Sequence, residues 1–223
     1  MRLIVLAAGE GLGLDGFQKL LIRHPRTGEC VMDQYLRLFA EMRLTVVVGY
    51  RAVELMHLYP QVEYVYNRDW RMTNNAYSLA LALDREPCIV LSSDLFLDEQ
   101  VVAKLREAGP DCVLTERREN RTMSSIHCSV SAEGWIGRMY QGALESEKDP
   151  EAIGVFSVST PGLLEAWRQR CLEHGNVFAG MNLPVGEFEL RAVDSAPHRV
   201  DEINTPDDYL RLVRASREGK TGP

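Results

Sequence analysis

No apolar run among the 223 residues approaches the ~18–20 that a membrane span requires. The opening RLIVLAAGEG is too short, and too quickly followed by acid and glycine, to read as a secretion signal. An excess of positive charge is also missing. Lys and Arg number 25 against 32 Asp and Glu, a net charge of −7. That balance excludes a sequence-blind nucleic-acid coat, because neutralising phosphates takes clustered cations. Cysteine is sparse: the five, at 30, 88, 112, 128 and 171, form no C-x-x-C and no regular spacing. An odd count without ligand spacing points to reduced thiols and a cytoplasmic location. The five histidines (24, 57, 127, 174 and 198) are equally scattered, so a Cys/His zinc site is not expected. No internal repeat or long linker interrupts the chain. With 45% hydrophobic and 26% charged residues it reads as one globular domain over 1–217, with 218–223 a frayed tail.

What is present is an alternation of short β-rich runs with helix-period segments. RLIVLAA (2–8) is an apolar run closed by Gly9, as a buried parallel strand should be. Residues 32–43 set Met32, Tyr35, Leu36, Phe39 and Met42 on one helical face. LTVVVGY (44–50) is a second strand, followed by a short helix over 51–58. VEYVYN (62–67) is a third, NNAYSLALALD (74–84) a helix capped by Asn74 or Thr73, and PCIVLSSD (87–94) a fourth strand ending in an acid. This order predicts an α/β fold, a three-layer α/β/α sandwich around a mostly parallel sheet with right-handed crossovers. After residue 110, DCVLTERR, SSIHCSVS, WIGRMYQ and AIGVFSVS look like antiparallel additions to that sheet. Helices over 161–173 and 205–217 follow, the second opened by Thr205-Pro206-Asp207.

Ligands of open parallel sheets bind beyond the carboxyl ends of the strands. Four segments deliver polar residues there. LAAGEGLGLDGFQKLL (6–21) is a glycine-rich turn followed by Lys19. Its glycines let backbone N–H groups approach phosphate, and the lysine supplies a point charge. It is not a P-loop, since G-x-x-x-x-G-K-[ST] is absent, and Leu14 stands where G-x-G-x-x-G needs its third glycine. That incomplete fingerprint argues against a dinucleotide-dependent oxidoreductase. YNRDWRMTNNAYSL (66–79) is rich in amides and aromatics; paired asparagines cap helices and also read the edge of a base. SSDLFL (92–97) ends a strand on Asp94. VDEINTPDD (200–208) sets Asp201, Glu202 and Asn204 before the last helix, hard oxygen donors of the kind that suit Mg²⁺.

The order LAAGxG…K, YNxxWxxxNNxYSL, a strand-ending Asp and EINTPxD resembles the nucleotidyltransferases of the sugar-nucleotide and cytidylyltransferase superfamily. Within it the chain is most similar to the bacterial CTP:phosphocholine and CTP:2-aminoethylphosphonate cytidylyltransferase group, over roughly 1–210. The asparagine pair before Tyr77-Ser78-Leu79 points to that branch. The resemblance implies a Rossmann-like nucleotidyltransferase fold and transfer of CMP from CTP to a small phosphorylated amino-alcohol or phosphonate, with release of pyrophosphate. It implies that Leu6, Ala7, Ala8, Gly9, Glu10 and Gly11 hold the nucleotide and that Asn75 and Ser78 lie near base or ribose. Lys19 then acts on phosphates, and Asp94, Glu202 and Asn204 surround Mg²⁺. An acceptor carrying an ammonium favours aromatic faces, for which Trp70, Tyr77, Phe96, Trp135 and Tyr140 are candidates. Trp167, spaced with Leu163, Leu164 and Cys171, is assigned to the core.

Three departures from the family pattern stand out. Leu12-Gly13-Leu14 replaces the usual [ST]-R-[LM], so the arginine that grips the triphosphate is missing; Arg23, Arg26 or Arg71 are candidates to replace it. Gln18-Lys19 replaces Pro-Lys, and Asn204 stands where a second metal carboxylate is usual. The alternatives are an inositol- or sugar-phosphate nucleotidyltransferase and a nucleotide-binding relative with weak or no turnover. No nucleic acid or membrane partner is expected, and the reading allows a homodimer.

Overall fold

The computed structural model describes residues 1–118 and 121–218; the expected tail lies from 219 onward outside the described residues. In chain order the first half runs β1 (Arg2–Ala7), α1 (Val31–Leu38), β2 (Arg43–Val48), α2 (Ala52–Leu58), β3 (Glu63–Tyr66), α3 (Asn75–Ala82) and β4 (Cys88–Ser92). The second half adds β5 (Leu95–Leu97), α4 (Glu99–Ala108), β6 (Cys112–Glu116), β7 (Ile126–Val130), β8 (Ile136–Gln141), β9 (Glu151–Val158), α5 (Pro161–Glu173), β10 (Arg191–Asp194), β11 (Val200–Glu202) and α6 (Pro206–Glu218).

Strand β1 is buried along its whole length because it runs between two parallel neighbours, β2 and β4. The sheet path is β10-β6-β9-β4-β1-β2-β3. Strand β9 enters it antiparallel to both β4 and β6, while β10 lies parallel to β6. The β7–β8 hairpin joins through His127 opposite Glu151. Since β9 runs against its neighbours, the carboxyl ends of β1, β4 and β6 share one edge of the sheet with the amino end of β9. That edge is where a ligand-binding crevice belongs.

Side-chain alternation along β1 splits the core in two. Leu3, Val5 and Ala7 pack with Val31, Leu55, Val101 and Leu212, from α1, α2, α4 and α6. Ile4 and Leu6 pack with Leu79 and Trp167, from α3 and α5. These are the outer layers of the α/β/α sandwich. Trp167 is fully buried, as expected, its indole N–H donating to the Ala179 carbonyl at 2.8 Å. All five cysteines are buried free thiols.

Two expectations change. The helix predicted over 32–43 ends at Leu38: Phe39 leaves helical geometry, and Phe39 and Met42 pack as turn residues because the chain must enter β2 at Arg43. Helix α4 was not expected, although Asp98 caps it, Val101, Val102 and Leu105 face the core, and Gly109 stops it at φ 77°.

Candidate active site

Asp94 and Glu202 are 108 positions apart in sequence, and a two-stranded ribbon brings them together. Strand β4 ends at Ser92, the chain turns through Ser93-Asp94, and β5 pairs antiparallel with β11 so that Leu95 faces Glu202. The Ile203 N–H closes the arrangement by donating to the Asp94 carbonyl at 3.0 Å. Lys19 joins from a short 3₁₀ turn anchored by the fully buried Leu20. Its Nζ donates to Asp94 Oδ2 at 2.8 Å and to Asn204 Oδ1 at 2.6 Å. Asn204 Nδ2 donates in turn to Glu202 Oε1 at 2.7 Å. Arg118 Nη1 reaches Glu202 Oε2 at 2.5 Å, and Arg118 Nε reaches Glu116 Oε2 at 2.5 Å. A continuous chain of opposite charges and one amide therefore runs Asp94–Lys19–Asn204–Glu202–Arg118–Glu116.

Negative charge in this chain is incompletely neutralised. Burial, then the neighbouring Asp94 charge, push the Glu202 carboxyl above the usual range, against the pull of Arg118 and Asn204. Asp94 is only 8% exposed, and its Oδ1 is buried without a hydrogen-bond partner. Leaving such an oxygen unpaired costs about 1–3 kcal/mol or more. Tyr35, which donates to the Ser92 carbonyl at 2.7 Å, is likewise held protonated, first by burial and then by the Asp94 charge. Hard oxygen donors with one buried oxygen unsatisfied fit a divalent cation that keeps most of its coordination for water and phosphate. Among the described residues no group of three or more His, Cys, Asp and Glu is placed to hold a metal by protein ligands alone.

These groups line a cavity of about 1230 Å³. Leu6, Ala8, Gly9 and Gly11 form part of its wall at the end of β1. Gly11 takes the left-handed conformation (φ 64°), which turns the loop toward Lys19. Gly13 is packed against the segment after β11: a Cβ there would lie 2.3 Å from the Asn204 carbonyl oxygen. Asn74, Asn75 and Ser78 line the cavity from the start of α3. The Asn74 side chain accepts from the Asn75 N–H at 2.7 Å, and Asn75 Oδ1 accepts from the Ala179 N–H at 2.7 Å. Buried Asn67 donates to Ser78 Oγ at 3.0 Å and to Thr73 Oγ1 at 3.2 Å, fixing the loop that carries Trp70.

The sequence profile of the MobA-like NTP transferase domain matches residues 3–179. The chain belongs to the MobA-like NTP transferase family and is a nucleotidyltransferase. A search of curated proteins finds no match. Among solved structures, the CTP:phosphocholine cytidylyltransferase from Streptococcus pneumoniae superposes with a TM-score of 0.79 at 18% identity, over 96% of this chain and 98% of that one. The inositol-1-phosphate CTP transferase from T. maritima gives 0.72 at 19% identity, over 98% and 96%. UDP-glucose pyrophosphorylase gives 0.73 at 13% identity, over 98% of each chain. At these identities the likeness is one of fold.

In this NTP transferase the cavity brings together Lys19, Asp94, Glu202, Asn204, Leu6, Ala8, Gly9, Gly11, Asn75, Ser78 and Trp70. It does not bring in Ala7, which packs into the opposite core layer, or the half-exposed Glu10. Three of the acceptor aromatics also sit elsewhere. Tyr77 packs toward Gly175, Trp135 lies under the Arg191 guanidinium (4.7 Å), and Tyr140 is buried with its hydroxyl on Asp149 Oδ2 at 2.7 Å. Phe96 is buried edge-on to His24. None of these four rings lines the cavity at the carboxyl edge of the sheet. The expected replacements for the loop arginine are displaced as well: Arg23, Arg26 and Arg71 are not on the cavity wall, whereas Arg117, Arg118, Arg121 and Arg211 are. The signal for three of these was the basic run that starts at Arg117 directly after β6, at the same carboxyl edge as Asp94.

Proposed function

We propose that this nucleotidyltransferase is a cytidylyltransferase joining CMP from CTP to a small phosphorylated amino-alcohol or phosphonate, of the phosphocholine or 2-aminoethylphosphonate type, with release of pyrophosphate. The observation that carries the reading is Lys19 bound between Asp94 and Asn204 beside Glu202, in one cavity with the glycine turn and the Asn74–Asn75 pair. Asn75 spends its Oδ1 on the Ala179 N–H, which leaves its Nδ2 group to donate to a base oxygen. Trp70 lines the same cavity and is the aromatic side chain for an acceptor ammonium, and a CTP:phosphocholine cytidylyltransferase has the same fold. A cytoplasmic site of action belongs to the same proposal; no described helix is long and apolar enough to cross a membrane.

On this reading an acceptor phosphate or phosphonate oxygen forms a bond to the α-phosphorus of CTP as the bond to pyrophosphate breaks. The attacking oxygen is already ionised near neutral pH, so no general base is required. Lys19 neutralises phosphate charge, and the N–H groups of the glycine turn orient the chain of phosphates. Asp94 and Glu202, with Asn204 beside them, are the residues to hold Mg²⁺, for which the unpaired buried Oδ1 of Asp94 speaks. A divalent cation held by these residues would supply positive charge to the triphosphate and to the pyrophosphate as it leaves.

Thr122, Ser124 and Ser125 line the same cavity, and such hydroxyls favour a polyol acceptor, an inositol or sugar phosphate, as the second reading. Mass spectrometry of CTP, UTP, GTP and ATP against these acceptors with Mg²⁺ decides between them. A CDP-linked amino-alcohol or phosphonate is the expected product. A product only from a polyol phosphate or another nucleotide overturns the first reading.

A further inference from the structure

Both oxygens of Glu202 are occupied, one by Asn204 Nδ2 at 2.7 Å and the other by Arg118 Nη1 at 2.5 Å. Asp94 differs: Lys19 holds Oδ2, and Oδ1 is buried and unpartnered. A divalent cation entering at Asp94 Oδ1 therefore competes for Glu202 with Arg118, the cation that the described residues place on that carboxylate. We propose that Arg118 is a built-in counter-cation, holding Glu202 until a divalent cation replaces it, and that the released guanidinium becomes the triphosphate contact the glycine turn lacks. The proposal rests on the nucleotidyl-transfer reading of the same site.

Three features of the structure support an exchange of this kind. The first is charge. Lys19 and Arg118 face Asp94, Glu202 and Glu116, so two cations stand against three carboxylates. Adding a divalent cation turns that deficit of one into an excess of one, which favours expelling a guanidinium toward an anion. The second is mechanical. Arg121 donates to the Arg118 carbonyl and to the Asp149 carbonyl, each at 2.8 Å, so the backbone at Arg118 is pinned and the exchange needs only side-chain rotation. Glu116 holds Arg118 Nε and keeps the released group at the cavity wall.

The third is the turn itself. An arginine cannot occupy position 13 in this loop, because its Cβ would meet the Asn204 carbonyl oxygen. Arginine's planar fork binds phosphate with two parallel hydrogen bonds, which a lysine in its place does not. Arg118 supplies such a fork from the opposite end of the chain of charges, next to the carboxylate that ends it.

The test is Mn²⁺ binding to the full chain without nucleotide, followed by the electron paramagnetic resonance of free Mn²⁺ at pH 8, for wild type, Arg118→Gln, Arg118→Lys and Glu202→Gln. Arg118→Gln is expected to bind Mn²⁺ about tenfold more tightly than wild type, the worth of one charge-assisted hydrogen bond no longer given up. The same variant is expected to bind CTP about tenfold more weakly at saturating Mn²⁺. Opposite signs for metal and nucleotide are not produced by a merely structural arginine. Mn²⁺ affinity equal to or below wild type in Arg118→Gln overturns the exchange, and unchanged CTP affinity overturns the phosphate contact. Should Arg118→Gln fail to fold by circular dichroism, Arg118→Lys carries the nucleotide arm, with the same loss expected. Full Mn²⁺ affinity in Glu202→Gln instead removes the cation site itself, a failure distinct from the other two.

Discussion

Gly13 shows what one missing side chain does to the turn after β1. The glycine lets the turn after β1 lie directly on the Asn204 carbonyl, so the loop and the segment after β11 support each other. Restoring the arginine usual in related sequences is expected to harm the protein. In Gly13→Arg the new Cβ forces the two segments apart, at a cost of about 1–3 kcal/mol for an overpacked contact, and displaces Asn204 from Lys19. Urea unfolding is expected to show the loss, and pyrophosphate release from CTP is expected to fall; a gain in turnover would show that the turn has room to move. Trp70 is the second informative residue. It packs on Gly49 and edge-on to Tyr50 with ring centroids 5.3 Å apart, and Arg71 covers one face at 4.8 Å. On the proposed reading an acceptor cation has the face that Arg71 leaves open. Trp70→Ala is expected to raise the acceptor KM several-fold, in line with a cation–π contact of about 0.5–2 kcal/mol, with a smaller change for CTP. Equal changes in steady-state kinetics would remove Trp70 from acceptor binding.

At the scale of elements, the start of α3 separates two roles that one sequence motif combines. Asn74 caps the helix and Asn75 receives the Ala179 N–H, so the asparagine pair builds the wall that it also lines. Ser78 is buried, and its hydroxyl accepts from Asn67. Ser78→Ala is therefore expected to lower stability by about 1 kcal/mol while leaving the KM for CTP within twofold; a large KM change at full stability would return Ser78 to the base or ribose. Strands β1, β2 and β4 and helices α3 and α5 were legible because period, caps and burial agree there. The ribbon of β5 and β11 was not. Three residues per strand carry no periodic signal, and their pairing joins Leu95 to Glu202 across nearly half of the chain. Asp94 was legible as an acid ending an apolar strand and Glu202 as an acid ahead of the last helix, but Arg118 was hidden in a run of charges that reads as solvated surface. The aromatic candidates other than Trp70 lie off the cavity wall for the complementary reason: ring type is visible in sequence, whereas the face a strand or helix turns to the cavity depends on which neighbours it pairs with.

On the scale of the whole molecule, the chain from Asp94 to Glu116 ties together the turn after β1, the end of β4, the end of β6 and the strap before α6. Lys19 is its keystone, since its ammonium is bonded both to Asp94 and to Asn204. Replacing it with methionine keeps the apolar stem over the cavity wall and removes the charge. Asp94 then loses the cation bonded to it, Asn204 loses the donor that orients it toward Glu202, and like charges on Asp94 and Glu202 push β11 away from β5. The N–H of Ile203, bonded to the Asp94 carbonyl, reports that separation directly. In Lys19→Met, amide hydrogen exchange over 200–204 is expected to speed up about tenfold or more, while β1 and β4 keep their protection, as befits local rather than global opening. Pyrophosphate release is expected to fall by about 10²–10³, the usual loss when one fixed donor to developing charge is removed. Slow turnover with unchanged exchange would make Lys19 a phosphate contact only. Fast exchange with normal turnover would make it a structural clamp and remove it from the chemistry. The two measurements moving together are what a single cation serving both the strap and the phosphates requires.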